Sequence, residues 1–208
     1  MTSRLVAAIA ATLVAAMPLS AQVLGLPVVN NGIPTGVVVA GDVGFANDAF
    51  GKGRTYGAQV GAGIGLLGLT ASVASYAPDA DGAEDITSYG AAATLRLFGG
   101  PLVPFRITLQ GGAARYEIES TTVTRIPVGI GFAATIPNPA FAIRPWLAPR
   151  VDLTRVDGDM DSDYAISGGI ELGFLNGLTV RASYDRIFAE NDLRPAVLSF
   201  GLGYAIGR

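Results

Sequence analysis

The sequence predicts an all-β protein: an antiparallel, up-and-down transmembrane β-barrel of about ten strands, with eight as the alternative count. Three observations lead to this prediction. From Thr35 to Ile206, strand-like runs are joined by connectors that are alternately acidic and uncharged. Apolar residues recur at every second position within the runs, and the chain opens with the features of an export signal. Longer polar loops at one end and tight turns at the other are typical of membrane-spanning barrels.

The two kinds of connector follow one another in strict order. The acidic ones are residues 79–85, 117–119, 157–163 and 190–192, and the uncharged ones are residues 65–66, 99–104, 137–139 and 175–177. We therefore predict that the acidic connectors lie outside the cell and that the uncharged turns lie on the periplasmic side.

The first 21 residues have the parts of a secretory signal peptide. Arg4 precedes an uncharged apolar run over residues 5–17, and the small residue Ala21 marks a plausible cleavage point. That run is shorter than the ~20 residues that a membrane-spanning helix needs. The sequence thus predicts a signal peptide over 1–21, a periplasmic N-terminal segment over 22–34, and the barrel over 35–208.

Each predicted strand separates an apolar face from a small or polar face. In the first strand Val37, Val39, Val43 and Phe45 alternate with Val38, Ala40, Asp42 and Gly44. Successive side chains of a strand point to opposite faces, so one face contacts lipid and the other lines the lumen. The other runs are approximately residues 55–64, 67–77, 89–97, 105–110, 123–136, 142–154, 166–174, 178–185 and 198–206.

Composition excludes most catalytic chemistry. The chain contains no histidine and no cysteine, which removes Ser–His–Asp catalysis, a histidine base, histidine-ligated metals and thiolate chemistry. The net charge of −3 and the absence of a basic patch argue against nucleic-acid binding. We therefore predict no catalytic residue, no cofactor and no dedicated metal site.

Two short motifs resemble ligand loops but fail in detail. The glycines of residues 63–68 fit a nucleotide-loop spacing, yet the chain continues as a strand where that motif requires a helix. Alternating aspartates in 157–163 resemble a calcium loop, but Ser162 and Gly168 occupy the positions that require Gly and Glu. Whether this acidic stretch binds a divalent cation remains an open question at this point.

The lumen-facing positions carry an unusual number of charges. The predicted lumen charge network consists of Asp42, Arg96, Arg106, Arg144, Arg150, Asp152, Glu171, Arg181 and Asp185, with Gln59, Gln110 and Arg125 on the same faces. Charges removed from water need partners. A three-residue turn over 175–177 places Glu171 opposite Arg181 and predicts a salt bridge between them, and the same counting places Arg96 opposite Arg106.

Three functions fit a barrel lined in this way. The side chains can plug the lumen of a structural barrel, or they can line a narrow anion-biased pore. Pro145 and Pro149 fall in one strand and cannot donate to a β-ladder, which raises a third alternative, a lateral gate for small apolar molecules. We expect the plugged, non-enzymatic barrel.

The chain resembles the small bacterial outer-membrane β-barrel proteins, the group that includes the outer-membrane protein A barrel domain. The resemblance rests on the signal peptide, the alternation, the loop asymmetry and the terminal strand over residues 199–204. It implies a monomer in the outer membrane, contacting lipid and assembled by the barrel-assembly machinery, with a structural or surface-interaction role.

Overall fold

A computed structural model shows the chain as a closed antiparallel β-barrel. It describes residues 23–34, 36–80, 82–100, 103–189 and 194–206. The strands there are β1 (Gly36–Ala46), β2 (Gly53–Ile64), β3 (Leu67–Pro78), β4 (Ile86–Phe98), β5 (Phe105–Ile118), β6 (Thr121–Ala134), β7 (Ile136–Pro137), β8 (Phe141–Val156), β9 (Asp159–Phe174), β10 (Leu178–Phe188) and β11 (Ala196–Ile206), with a short 3-10 helix at Asp48–Phe50. No helix in these residues is long and apolar enough to cross a membrane.

The strands pair in the order of the chain, and the barrel closes where β1 pairs with β11. In that seam Val37 lies opposite Ile206 and Phe45 opposite Leu198. The two-residue β7 pairs with β8, and β6 also pairs with β8, so within the described residues ten long strands form the wall. The ten-strand prediction is confirmed, and the eight-strand alternative is wrong.

The connectors divide the barrel into two ends, which we call the loop end and the turn end. The loop end carries the acidic connectors, and the turn end carries the uncharged ones together with the start of β1 and the end of β11. The wall alternates as the sequence predicts: Leu202 is 60% exposed on the outer face, whereas its neighbours Gly201 and Gly203 face inward and are buried.

The connector predicted at 157–163 is largely strand. Only Asp157 and Gly158 form the turn between β8 and β9, and Asp159 already pairs with Val156. Asp157 and Gly158 both have positive φ, of 50° and 107°, which is the backbone that a two-residue type I′ hairpin turn requires. An Asp-Gly pair is a strong signal for this turn, and the run of acidic residues conceals it in the sequence.

The turn between β4 and β5 changes a register that the sequence predicts. Arg96 lies opposite Thr108, not opposite Arg106, because the pairing of β4 with β5 begins at Phe98 and Ile107 and leaves Phe105 and Arg106 beyond its last pair; a bulge then lies between Arg96 and Phe98. The predicted pairing of Arg96 with Arg106 is therefore wrong. Both residues remain on inward-facing positions of their strands.

Candidate functional site

The lumen is occupied by residues 23–34, which we call the lumen segment. The sequence assigned this stretch to a periplasmic segment outside the barrel, and the structure corrects that assignment. Val23, Leu26, Val28 and Asn30 are each less than 10% exposed, and Leu26 packs against Ala74 of the inner wall. The stretch is apolar and uncharged, so burial in the lumen removes it from water.

The lumen segment crosses the barrel from the loop end to the turn end. The Leu24 N–H donates to Ser88 Oγ at 3.0 Å near the loop end, and the Asn31 amide donates to Glu171 Oε2 at 2.9 Å near the turn end. A turn at residues 24–26, where Gly25 has a φ of 73°, precedes the part of the segment that continues towards the turn end.

Polar side chains from five strands satisfy the segment's backbone and amide groups. Besides the two contacts above, three side chains of the wall donate to the segment: Thr55 Oγ1 to the Leu24 carbonyl at 3.3 Å, Thr108 Oγ1 to Asn30 Oδ1 at 2.6 Å, and Gln110 Nε2 to the Val29 carbonyl at 3.1 Å. In the other direction, the Val28 N–H donates to Asp185 Oδ2 at 3.1 Å. A buried backbone without such partners would be costly. The wall is thus chemically matched to this segment.

Glycines on the inner face make room for the segment. A Cβ on Gly44 would overlap the carbonyl oxygen of Gly25, and one on Gly131 would overlap the main chain and side chain of Asn30. Gly57 faces Leu26 in the same way. Gly44 and Gly131 are needed for space, because a larger side chain there would overlap the main chain of the segment. At Gly57 the overlapping atom is the end of the flexible Leu26 side chain, which can move aside.

A buried ion-pair network fills the half of the lumen nearer the loop end. We call it the loop-end network, formed by Arg125, Arg150, Asp152, Ser167 and Asp185. All three guanidinium nitrogens of Arg150 have partners. Nε and Nη2 bind the Asp152 carboxylate at 2.8 and 3.0 Å, and Nη2 also contacts both oxygens of Asp185 at 2.9 Å. Nη1 binds Ser167 Oγ at 2.5 Å. Arg125 Nη2 binds the same Asp152 at 2.9 Å. Two positive charges therefore face two negative charges.

A second group, the turn-end cluster, consists of Asp42, Arg96, Arg106, Arg144, Glu171 and Arg181. Four of its members form a row across neighbouring strands. Arg144 lies opposite Glu171, Glu171 opposite Arg181, and Arg181 opposite Gly201, which in turn lies opposite Asp42. Because Gly201 has no side chain, Arg181 Nη2 reaches past it to bind Asp42 Oδ1 at 2.6 Å.

The row explains why the predicted salt bridge between Glu171 and Arg181 is wrong. The two residues are directly opposite, as the turn predicted, but Glu171 Oε1 binds Arg144 Nη1 at 2.8 Å from the other neighbouring strand. Its second oxygen accepts from Asn31. Arg181 then binds Asp42, which also accepts from Gln59 Nε2 at 2.8 Å.

Arg96 and Arg106 have no carboxylate within 4.0 Å among the residues that the structure describes. Arg106 Nη2 donates to Thr135 Oγ1 at 3.1 Å, and its guanidinium packs against Gly32. Arg96 Nε is buried without a hydrogen-bond partner in the described part of the chain. A cavity of about 500 Å³ adjoins this cluster and is lined by Arg106, Arg144, Arg181, Asp42 and Glu171, together with residues 23, 26–29 and 31–34 of the lumen segment.

Several important lumen residues were not identified from the sequence. Trp146, the single tryptophan of the chain, points inward, is 5% exposed and packs with Ala133, Ala148 and Val29. The segment residues Asn30 and Asn31 were also missed. An apolar, uncharged stretch directly after the predicted export signal was the available sign that this part of the chain is buried.

The prolines leave a local gap in one seam. The ladder between β8 and β9 is continuous, whereas the pairing of β6 with β8 is interrupted between Gly129 and Phe132, across from Pro149, and resumes in the same register. Proline has no N–H to donate there. Asn30 of the lumen segment packs against Gly131 on the inner side of this gap.

The arrangement offers ion pairing and no metal centre. Across 23–34, 36–80, 82–100, 103–189 and 194–206, no three or more acidic side chains are grouped so that they could hold a metal ion. Asp159 and Asp161 project from β9 as exposed strand residues. Each lumen carboxylate of Asp42, Asp152 and Glu171 is bound by an arginine.

Comparisons with known proteins bear on the fold. No protein-family model matches the chain, and no curated protein matches it. The β domain of the Bordetella autotransporter BrkA aligns with a TM-score of 0.53 at 13% identity, covering 82% of this chain and 98% of that domain. The outer membrane enzyme PagL aligns at 0.42, 12% identity and coverages of 81% and 99%. The N-terminal β-barrel domain of Pseudomonas aeruginosa OprF aligns at 0.36, 19% identity and coverages of 81% and 96%. From its closed ten-strand wall and its likeness to the BrkA domain, the chain has the fold of the bacterial outer-membrane β-barrels.

Proposed function

We propose that the protein is a non-enzymatic outer-membrane β-barrel whose lumen is closed, and that it has a structural or surface-interaction role. The observation that supports this most directly is the lumen segment, which is buried across the barrel and held by side chains of five strands. The sequence predicts a plug made of charged side chains. We propose that the lumen segment is part of this plug as well.

The outer face supports a place in the membrane. Large apolar side chains such as Ile170, Leu69 and Phe200 are about half exposed along the strands, at 51%, 54% and 49%. A soluble protein rarely exposes a continuous apolar surface of this extent. We propose the outer membrane as the location, lipid as the neighbour, a monomer as the state and the barrel-assembly machinery as the route.

The lumen chemistry supports a role without catalysis. Asp42, Asp152, Glu171 and Asp185 are each bound by an arginine, so each of these carboxylates is already engaged in an ion pair. The chain contains no histidine or cysteine, so a histidine base and a thiol nucleophile are not available to it. The loops and the outer rim are then where any partner would bind.

Single-channel conductance in planar bilayers tests the closed lumen. The whole protein is compared with a variant in which residues 23–34 are replaced by a Gly/Ser segment of the same length, so that the connection is kept and the contacts are lost. We expect no discrete current steps from the whole protein and clear steps from the variant. Equal, well-resolved steps from both proteins would contradict a closed lumen and favour the narrow anion-biased pore.

A further inference from the structure

The turn-end cluster has more positive charge than its carboxylates balance. Asp42 and Glu171 are each bound by one arginine, Arg181 and Arg144 respectively. Arg96 and Arg106 therefore bring two further positive charges, with no carboxylate within 4.0 Å in the described part of the chain. In the loop-end network, by contrast, the charges balance.

The two additional guanidinium groups are close enough to repel each other and their neighbour. Arg106 interacts unfavourably with both Arg96 and Arg144 and favourably with Glu171. A guanidinium carries five N–H donors, and a hydrogen bond to Thr135 uses one of those on Arg106. Arg96 Nε is buried and without a partner in the residues described. Half-buried charges with unused donors are costly unless something negative completes them.

The space beside these groups is large enough for a ligand. The cavity of about 500 Å³ is lined by Arg106, Arg144 and Arg181, and by polar groups such as Gln59 and Thr70. Cavities of ~300–1,000 Å³ are typical of small-molecule sites. This volume would take a small organic anion together with some water.

We propose that the turn-end cluster is a binding site for a small anion bearing a carboxylate or phosphate group, held by Arg106 with Arg96 adding charge. A planar guanidinium matches the oxygens of either group with two parallel hydrogen bonds. Because the buried loop-end network lies on the loop-end side of the cluster, the anion enters and leaves by the turn end. The cavity also runs along Val23 and residues 26–29, so the anion shares the lumen with the lumen segment. Binding at this cluster does not depend on whether the barrel conducts.

Anion binding can be measured on the whole protein in detergent. Sodium phosphate and sodium succinate are each titrated against sodium chloride at equal ionic strength. The first readout is the fluorescence of Trp146, because Arg144 lies two residues earlier on the same strand and on the same inward face. The second readout is the temperature at which the heat-modifiable folded form is lost. A ligand that binds only the folded state raises that temperature in a saturable way. Whichever anion binds more tightly assigns the site to phosphates or to carboxylates.

Three variants locate the site. Arg106→Gln is expected to weaken binding about tenfold or more, the usual effect of losing a charge-assisted hydrogen bond. Arg96→Gln is expected to weaken binding less, because Arg96 adds charge beside the cavity without lining it. Arg106→Lys keeps the charge but loses the paired geometry, so it should fall between Arg106→Gln and the unchanged protein. The matched control is Arg115→Gln on the same strand, because Arg115 is exposed at the loop end and pairs with Glu117 at 3.5 Å.

The inference is overturned if neither anion exceeds chloride in either readout. It is also overturned if Arg96→Gln and Arg106→Gln both bind as the unchanged protein does, or if Arg115→Gln loses as much affinity as they do. Anion binding is measured in detergent solution, and conductance is measured in a bilayer. The two experiments can therefore fail separately: a closed barrel can bind no anion, and a conducting barrel can bind one, and each combination is recognised by its own pair of results.

Discussion

The loop-end network makes a sharp prediction about stability, which we develop for Asp185→Asn. The change keeps the shape of the side chain and removes one negative charge. In the folded protein the Asp185 carboxylate contacts Arg150 Nη2 through both oxygens at 2.9 Å and accepts the Val28 N–H at 3.1 Å. An asparagine has only one acceptor oxygen in this place. Its NH₂ group would face an N–H of Arg150 or of Val28, and two donors cannot form a hydrogen bond with each other.

The magnitude follows from burial. Arg150 and Asp185 are 5% and 2% exposed, so water cannot replace the lost charge. Removing one partner of a buried ion pair costs ~3–5 kcal/mol. Since Arg150 keeps its paired contacts with Asp152, we expect the lower part of that range, a loss of about 3 kcal/mol in the free energy of unfolding.

A double-mutant cycle separates this interaction from general damage. Arg150→Gln alone leaves Asp185 buried without its cation, whereas Arg150→Gln combined with Asp185→Asn leaves two neutral groups. The double variant should therefore lose about 2 kcal/mol less than the sum of the two single losses. The matched control is Asp48→Asn, because Asp48 has a side chain 90% exposed and a 3.7 Å pair with Lys52, and it should leave stability unchanged.

The assay is reversible urea unfolding in micelles or vesicles, followed by heat-modifiable gel migration and by the fluorescence of Trp146. A shift in midpoint at constant slope reports stability alone. The reasoning is refuted if Asp185→Asn unfolds at the same urea concentration as Asp48→Asn, or if the double variant loses the full sum of the single losses.

Two other predictions concern how the lumen segment fits the wall. Gly131→Val should push Asn30 from its place and make the lumen segment cleavable by an added protease. Gly111→Val should not, because its side chain meets open space on the outer face. Equal cleavage of both variants would show that Gly131 is not needed to make room for Asn30. The emission of Trp146 should be blue-shifted and shielded from iodide, because its ring is buried beside Val29, and replacement of the segment should shift the emission to the red; unchanged emission would show that the indole does not depend on the segment.

The wall could be predicted from the sequence because its signals are local. Alternation assigns each side chain to a face without reference to any other strand, so Asp42 and Arg181 were placed inward correctly before their partners were known. The tight turn at 175–177 also gave the correct register between β9 and β10. Short turns fix register because they leave few ways to join two strands.

The ion pairs could not be predicted, because each depends on more than one hairpin. Glu171 has an arginine on both neighbouring strands, and counting through one turn reveals only Arg181. The pairing of Arg181 with Asp42 crosses Gly201 and depends on closure between β1 and β11, which no local pattern encodes. Arg96 likewise does not face Arg106, because the β4–β5 ladder begins at Ile107, two residues into β5.

The position of the lumen segment links filling of the lumen to closure of the barrel. The segment directly precedes β1, yet its polar contacts reach Asp185 on β10 and Glu171 on β9, which lie across the seam where β1 meets β11. Those contacts can form only when the seam is closed. Each buried hydrogen bond contributes ~1 kcal/mol, and bonds to charged groups contribute somewhat more. The segment therefore stabilises the closed barrel relative to an open sheet.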